Sequence, residues 1–410
     1  MPDHAARYLS ILLCMALPAV HAATDSGLLA EAAAKFPANQ WVGLPPPSVV
    51  IPKPWEGGRI VHINSFGSDV FCPGINKILT ITGYTTLPAG KAVPNNYSDS
   101  LYSFDCMRNE LELIKRSNWR AGARSTDPNQ CSYPLDENKT DPTPCPRHTY
   151  NGICYDAASG AFFLINGANA GVPNKHPLFE TNQGTTVFTF WSYDIRSKQW
   201  TQLDYPALKR KEPYDTILRA VPGAGKLYHF SDWSVSRYDL KTKTWTILLD
   251  CPGGSPVNAK VNAANGYIGG QAAVDGKRQR ILFHGGTAWR PKKEGQAELP
   301  MHTVLVFNTQ TEKFERLGAG TVEGNPRMGF VYVEHLDRYW LRTDSGEYLM
   351  HPESGAWTKL KHTPFSFSGD RSTEWNYACY DSARGLILLS RCSREWAVLR
   401  LDAAALNAAP

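Results

Sequence analysis

A strand pair with a constant spacing recurs along this sequence and limits the folds that the chain can adopt. In each copy an apolar strand ends in a polar residue, and six residues later a leucine or an aromatic residue opens a second strand. The copies run from Asp105 to Leu111, Asp194 to Trp200, Asp239 to Trp245, Asn308 to Phe314 and His351 to Trp357. Short apolar or alternating runs separated by turn residues are typical of strands rather than helices. The pattern therefore predicts an all-β chain built from hairpins.

A second strand pair precedes each of these hairpins, and residues 148–156 followed by 161–167 form the clearest example. Four strands per unit, repeated every roughly 43 to 50 residues where no insertion intervenes, indicate a β-propeller. The predicted units span 68–116, 148–205, 215–250, 267–318, 327–363 and 374–402. We therefore expect a six-bladed propeller, with a seventh blade from residues 46–66 as the alternative.

The sixth unit contains only three strands, and its missing outer strand has a candidate near the N-terminus. Residues Asn39–Pro45 match the Trp-x-x-Leu outer strands that begin at Trp200 and Trp245. Pairing of this segment with the last blade closes the ring and leaves only short edges exposed. The propeller should then span residues 39–402, preceded by a segment at 23–38 and followed by a tail at 403–410.

Two stretches of the sequence resemble the Kelch repeat. One is Phe283 to Gly286, which reads Phe-His-Gly-Gly, and the other is the strand pair that ends at Asp194 and Trp200. Blades three, five and six lack the double glycine, so blades two and four carry the resemblance. It implies a Kelch-like propeller of the galactose-oxidase-like superfamily, with a relation to propeller-type polysaccharide lyases. A shared fold does not specify a function.

The first 22 residues read as a secretory signal peptide. Arg7 precedes an apolar run from Tyr8 to Ala19, and Val20-His21-Ala22 provides small residues for cleavage. The mature protein is therefore expected in the periplasm or outside the cell. No later apolar run reaches the roughly 20 residues that a membrane-spanning helix requires, so no membrane span is expected.

Eight cysteines remain once Cys14 is removed with the signal peptide. An even number in an exported chain favours disulfides, and buried free thiols are the alternative. Cys131 and Cys145 bracket one polar, proline-rich insertion and form the first expected pair. Cys379 and Cys392, on successive strands, form the second.

The net charge of +5 permits an anionic ligand, but no long Lys/Arg run of the type that binds nucleic acid is present. We expect a monomer that binds an acidic polysaccharide or oligosaccharide and does not bind nucleic acid. No cofactor is expected, although a structural calcium ion in the central channel is left open.

Long insertions point to one face of the ring. With the strands of each blade named a to d from the axis outward, residues 85–99, 168–186 and 287–302 are long b–c loops, and 117–147 is a long d–a connection. Both kinds of connection lie on the same face, and long loops on a rigid scaffold usually carry function. We call this the mouth face, defined by the starts of strands a and the ends of strands b.

The mouth face is predicted to be rich in cations and aromatic rings and poor in carboxylates. The candidate catalytic residues are Arg147, His148, Tyr150, His284 and Arg327. The candidate substrate-binding residues are Asn166, Lys175, His176, Trp289, Arg290, His302, Arg342, Trp375 and Asn376. Guanidinium groups pair with carboxylates and aromatic rings stack on sugar faces, so this composition suits an acidic sugar.

The function expected first is cleavage of a uronate-containing polysaccharide by β-elimination. That reaction needs a cation or amide to neutralise the uronate carboxylate and a His or Tyr to transfer protons. A hydrolase with paired carboxylates fits this face less well. The alternatives are a Kelch propeller that binds glycan or protein without catalysis, and an enzyme resembling the periplasmic sialic acid epimerases. A copper oxidase is a further alternative, although the extra C-terminal domain of that family is missing.

Overall fold

The fold is an all-β propeller with six blades, seen in a computed structural model of the chain. The structure describes residues 26–50, 69–81, 100–115, 142–144, 147, 149–167, 181–182, 186–187, 189–207, 216–231, 234–250, 271–284, 304–317, 322, 326–367, 376–391 and 395–402.

The elements follow one another as the repeat predicts. The N-terminal segment contributes α1 (Ser26–Lys35), β1 (Trp41–Leu44) and β2 (Ser48–Val50). Blade 1 contains β3 (Asp69–Cys72), β4 (Lys77–Ile81), β5 (Leu101–Asp105) and β6 (Glu110–Lys115). Blade 2 contains β7 (Ile153–Asp156), β8 (Ala161–Ile165), the short ribbon β9 (Thr181–Asn182) and β10 (Thr186–Val187), then β11 (Phe190–Asp194) and β12 (Gln199–Leu203). Blade 3 contains β13 (Ile217–Ala220), β14 (Lys226–Phe230), β15 (Ser234–Asp239) and β16 (Thr244–Asp250).

The second half of the chain continues the pattern. Blade 4 contains β17 (Gln271–Asp275), β18 (Arg280–His284), β19 (Val304–Asn308) and β20 (Lys313–Leu317). Blade 5 contains β21 (Pro326–Val333), a 3-10 turn at Glu334–Leu336, β22 (Arg338–Thr343), β23 (Glu347–Met350) and β24 (Trp357–Lys359). Blade 6 contains β25 (Asn376–Asp381), β26 (Leu386–Arg391) and β27 (Glu395–Arg400), with β1 as its outer strand.

The inner strands close the ring. Strand β3 packs beside β7, β7 beside β13, β13 beside β17, β17 beside β21, β21 beside β25, and β25 again beside β3. The circle is therefore complete with six blades, and the predicted six-bladed ring is confirmed. Strand β2, within the region considered for a seventh blade, adds in parallel to β6 at the outer edge of blade 1.

The six-residue step reflects one turn geometry that is used in five c–d hairpins. The residue before the polar position faces the residue that opens strand d, as in Phe104–Leu111, Tyr193–Trp200 and Tyr238–Trp245. The polar side chain accepts hydrogen bonds from backbone N–H groups two and three residues later; Asp194, for example, accepts from Arg196 and Ser197. Four residues after the polar position the backbone is left-handed, at Asn109, Lys198, Lys243, Glu312 and Gly355.

The predicted closure by the N-terminal strand is confirmed. Strand β1 pairs antiparallel with β27, with Trp41 opposite Leu399 and Leu44 opposite Trp396. Helix α1 precedes this strand and buries Ala32 in a core shared by blades 1 and 6. The segment from α1 to β2 therefore joins the last blade to the first. In the described part of the chain, no helix has the length and apolar character needed to span a bilayer.

One predicted disulfide is wrong. Cys379 is a buried free thiol in β25, and its cross-strand neighbour is Leu388. Cys392, its expected partner, lies outside the described residues.

Three further cysteines with a described environment, Cys72, Cys106 and Cys154, are also buried free thiols. Burial raises the pKa of each thiol. Cys131 and Cys145 lie outside the described residues, so their pairing stays a prediction.

Candidate functional site

The starts of the inner strands and the ends of the second strands meet on one face, as the repeat predicts. In blade 1 Asp69 pairs with Thr80, in blade 4 Gln271 pairs with His284, and in blade 6 Asn376 pairs with Arg391. Residues from different blades are thereby brought to the mouth face.

Arg147 lies where the d–a connection enters blade 2 and is almost completely buried. Its Nη1 donates hydrogen bonds to the carbonyl oxygen of Asn166 at 3.0 Å and to Oγ1 of Thr189 at 2.7 Å. Arg147 and Asn166, both predicted at the mouth face, are therefore in contact. Because its guanidinium reaches the end of β8 and the residue before β11, Arg147 positions the chain that carries the site.

A tight turn over the end of β8 follows Arg147. The amide of Gly152 donates to the carbonyl of Thr149 at 2.9 Å, and the amide of Ile165 donates to the carbonyl of Gly152 at 2.8 Å. A Cβ atom on Gly152 would lie 2.4 Å from the carbonyl oxygen of Ile165, so glycine is required there. Tyr150 and Asn166 both adopt left-handed backbone conformations, which asparagine tolerates better than most residues.

Arg219 connects the inner strands of three blades. It lies in β13 of blade 3, and its Nη1 donates to the carbonyl oxygens of Asn151 at 3.1 Å and Leu218 at 2.8 Å. Its Nη2 is 3.4 Å from Oδ1 of Asn151, and its Nε donates to the carbonyl of Ala272 in blade 4 at 3.1 Å. All of these acceptors are neutral, and among the described residues no carboxylate forms an ion pair with Arg219.

Burial lowers the pKa of Arg219 to about 10, and the neighbouring Cys154 thiol has a smaller effect in the opposite direction. The guanidinium is therefore positively charged at neutral pH. The chain places a cation at the mouth face without a described counter-ion.

Several buried polar atoms at the mouth-face ends of blades 2 and 3 have no hydrogen-bond partner among the described residues. They are Oγ1 of Thr149, Nδ2 of Asn151, Nδ2 and Oδ1 of Asn166, and Oγ1 of Thr216. Together with Arg219, these four residues form what we call the Arg219 cluster. Buried polar groups without partners cost about 1–3 kcal/mol each, so they are usually satisfied by water or a ligand. Amide, hydroxyl and guanidinium donors dominate this set, which suits a ligand with acceptor oxygens.

His284 occupies a different environment from the one expected. Its side chain is 1% exposed and lies against two rings of blade 5. The ring centroids are 5.7 Å from Phe330 and 5.5 Å from Trp357. Because those rings belong to the inner and outer strands of blade 5, His284 lies in the interface between blades 4 and 5.

Arg342 also makes a structural contact. Its Nη2 donates to the carbonyl of Phe365, which fixes the segment after blade 5 against the end of β22. Tyr150 lies between Arg147 and Asn151 in the sequence, and its side chain is buried.

The remaining predicted residues are not tested by the described contacts. Arg327 and Asn376 lie on β21 and β25, near the start of each strand, and only their backbone is described. The candidates that lie outside the described residues are His148, Lys175, His176, Trp289, Arg290, His302 and Trp375.

Arg219 was not selected from the sequence as a site residue, whereas Asp69 was expected at the channel mouth without a catalytic role. Arg219 is the third residue of its inner strand, whereas the repeat pattern predicts the mouth from the first positions of these strands. Asp69 opens β3, and its carboxyl group is buried at the mouth face. The sequence feature that could have identified Arg219 is that it is the single charged residue of the otherwise apolar strand Ile217–Ala220.

Among the described residues, no three His, Cys, Asp or Glu side chains are grouped as metal ligands. The sequence matches no protein-family model and no curated protein.

Proposed function

We propose that this propeller binds an acidic, uronate-containing glycan at its mouth face and cleaves it by β-elimination. The observation that carries this proposal is the Arg219 guanidinium, which is held by neutral oxygens beside unpartnered amide and hydroxyl groups. A carboxylate is the natural counter-ion for such a group, because it accepts charge-assisted hydrogen bonds from a guanidinium. The same proposal includes that the protein is exported, that it is related to Kelch-like propellers and that its partner is an acidic oligosaccharide or polysaccharide.

The chemistry follows from neutralising the uronate carboxylate. When Arg219 pairs with that carboxylate, the C–H bond on the adjacent carbon becomes more acidic, and a base removes its proton. His148 and Tyr150 are the candidate bases, since His148 directly precedes the turn that contacts Arg219 and Tyr150 lies within it. Asn151 and Asn166 provide amide groups for the sugar or its carboxylate, and Arg147 holds the turn in place.

The experiment is an elimination assay on a panel of polyuronates, following the ultraviolet absorbance of the unsaturated product. Replacing Arg219 by Gln should reduce kcat/KM by at least about 100-fold, because one charge-stabilising donor set is lost. Arg219→Lys should retain intermediate activity, since the charge remains and the planar fork is lost. The control is Arg108→Gln, an exposed arginine in the c–d turn of blade 1 on the opposite face.

A second candidate function is glycan binding without turnover. It is favoured by the burial of His284 between Phe330 and Trp357, which removes one of the predicted proton-transfer groups from the mouth face. Binding of acidic oligosaccharides that depends on Arg219, with no elimination of any polyuronate, would favour this function over the lyase.

A further inference from the structure

Asp69 is a buried carboxyl group on the same face as the Arg219 cluster. It opens β3, the inner strand of blade 1, and β3 packs beside β7 of blade 2. Asn151, which contacts Arg219, lies just before β7. The two groups therefore border the mouth from neighbouring blades.

The carboxyl group of Asp69 accepts hydrogen bonds from hydroxyl groups, and one of its oxygens has no partner among the described residues. Its side chain is among the buried polar groups of the protein. Oγ of Ser390, at the end of strand b in blade 6, donates to Oδ2, and Thr80 also bonds the carboxyl group. Oδ1 has no hydrogen-bond partner among the described residues.

Burial raises the pKa of Asp69 to about 6, and the hydrogen bonds from Ser390 and Thr80 act in the opposite direction. In the part of the chain that the structure describes, no charged group contributes to this shift. The titratable groups on the strands packed against β3 are Lys77 of β4, Cys154, Tyr155 and Asp156 of β7, and Tyr377, Cys379, Tyr380 and Asp381 of β25. A carboxyl group that keeps its proton up to about pH 6 in an enclosed site can serve as a general acid.

We propose that Asp69 is the general acid of the elimination and that Ser390 is its positioning residue; this inference rests on the proposed function. The base takes the proton from the carbon next to the uronate carboxylate, and the electron pair of that C–H bond forms the new C=C bond. The bond from the neighbouring carbon to the glycosidic oxygen breaks with its electron pair on the oxygen. That oxygen takes the proton of Asp69. Water then returns a proton to Asp69 and removes one from the base, so no oxidant or reductant is needed.

The test is the pH dependence of kcat and kcat/KM on the best polyuronate substrate, measured for the full chain. Wild-type kcat/KM should fall as pH rises through about 6, because the acid loses its proton there. Asp69→Asn should lower kcat by at least about 100-fold with little change in KM, and its activity should lack that limb. Asp156→Asn is the matched control, since Asp156 is a buried aspartate at the opposite end of the neighbouring inner strand.

Ser390→Ala provides a second test of the role of Asp69, which can be used if Asp69→Asn does not fold. Loss of a hydrogen bond that favours the carboxylate should move the limb to higher pH while activity remains. Wild-type activity with an unchanged pH profile in both variants would overturn the role of Asp69 and leave the lyase proposal standing. A wild-type protein that eliminates no polyuronate would overturn both proposals.

Discussion

His229 is a buried histidine whose protonation should control the acid stability of the fold. Its side chain is fully buried in β14, and neither ring nitrogen has a hydrogen-bond partner among the described residues. Its ring packs edge-on against Trp245, with the centroids 6.2 Å apart. Burial lowers its pKa to about 3. The unfolded chain therefore binds a proton below about pH 6.5 that the folded chain does not bind.

His229→Phe should make the protein more resistant to acid. Above about pH 6.5 both proteins have an uncharged side chain at this position, so the difference in unfolding free energy should be independent of pH. As pH falls from about 6.5 toward 3, the variant should gain about 1.4 kcal/mol per pH unit relative to the wild type. Urea unfolding at several pH values measures this difference.

The control for this titration is Leu227→Val, a substitution of a buried apolar residue in the same strand. Its cost should stay constant with pH, because no proton is bound or released. If the difference between His229→Phe and wild type were equally independent of pH, His229 would not be the neutral buried group described here.

At the residue scale, the sequence predicted the site only in part. Arg147 and Asn166 were expected at the mouth, and they are in contact. Arg219 was not expected, because its role depends on the carbonyl groups of Asn151 and Ala272 in the two neighbouring blades. A repeat pattern gives the position of a residue within its own blade, but contacts between blades depend on how the strands twist and pack. The packing of His284 was not foreseen for the same reason, since the rings beside it belong to blade 5.

At the element scale, the hairpins were predictable because their information is local. The capping side chain, the left-handed residue and the facing apolar pair all lie within eight consecutive positions, as in 104–111. The polar residue is an aspartate or asparagine in four of the five turns, and in the fifth Nδ1 of His351 accepts from the amides of Glu353 and Ser354. A constant local geometry thus produces a constant spacing that can be read from one sequence.

Glu347, the first residue of β23, forms hydrogen bonds with three neighbouring elements. Its buried carboxylate accepts hydrogen bonds from Nε1 of Trp41 at 3.0 Å, from Nε1 of Trp340 at 3.2 Å and from Nε2 of His362 at 2.7 Å. These donors come from the outer strand of blade 6, the second strand of blade 5 and the segment after blade 5. Glu347 therefore connects the closing strand to the body of the ring.

Glu347→Ala should lower the free energy of unfolding by roughly 3–5 kcal/mol, because two buried donors and one partly buried donor lose their acceptor at once. Glu353→Ala is the control, because the Glu353 carboxylate forms an ion pair with Arg278 and the Glu353 side chain is 64% exposed. Removing an exposed ion pair should cost less than about 1 kcal/mol. Chemical denaturation of both variants measures the costs, and equal costs would contradict a special role for Glu347.

At the scale of the whole molecule, stability depends on a ring that the two ends of the chain close together. The amide of Asn39 donates to the carbonyl of Arg400 at 2.7 Å, and its side chain donates to Oδ1 of Asp402 at 2.7 Å. The guanidinium of Arg400 in turn donates to the carbonyl of Phe36 at 2.8 Å. Without β1, strand β27 would become an unpaired edge, and the apolar surface under Trp41 would be exposed to water.

This closure predicts that the N-terminal segment can be supplied as a separate peptide. A protein that begins at residue 51 lacks α1, β1 and β2, so its thermal midpoint should be lower than that of the full chain. A synthetic peptide of residues 26–50 should raise the midpoint, because a ligand that binds only the folded state stabilises it by about 2.7 kcal/mol at 100 times its Kd. Trp41→Ala in the peptide should weaken this effect, whereas Val49→Ala should not, since Val49 is 45% exposed. Equal stabilisation by a scrambled peptide would show that closure does not depend on the pairing of β1 with β27.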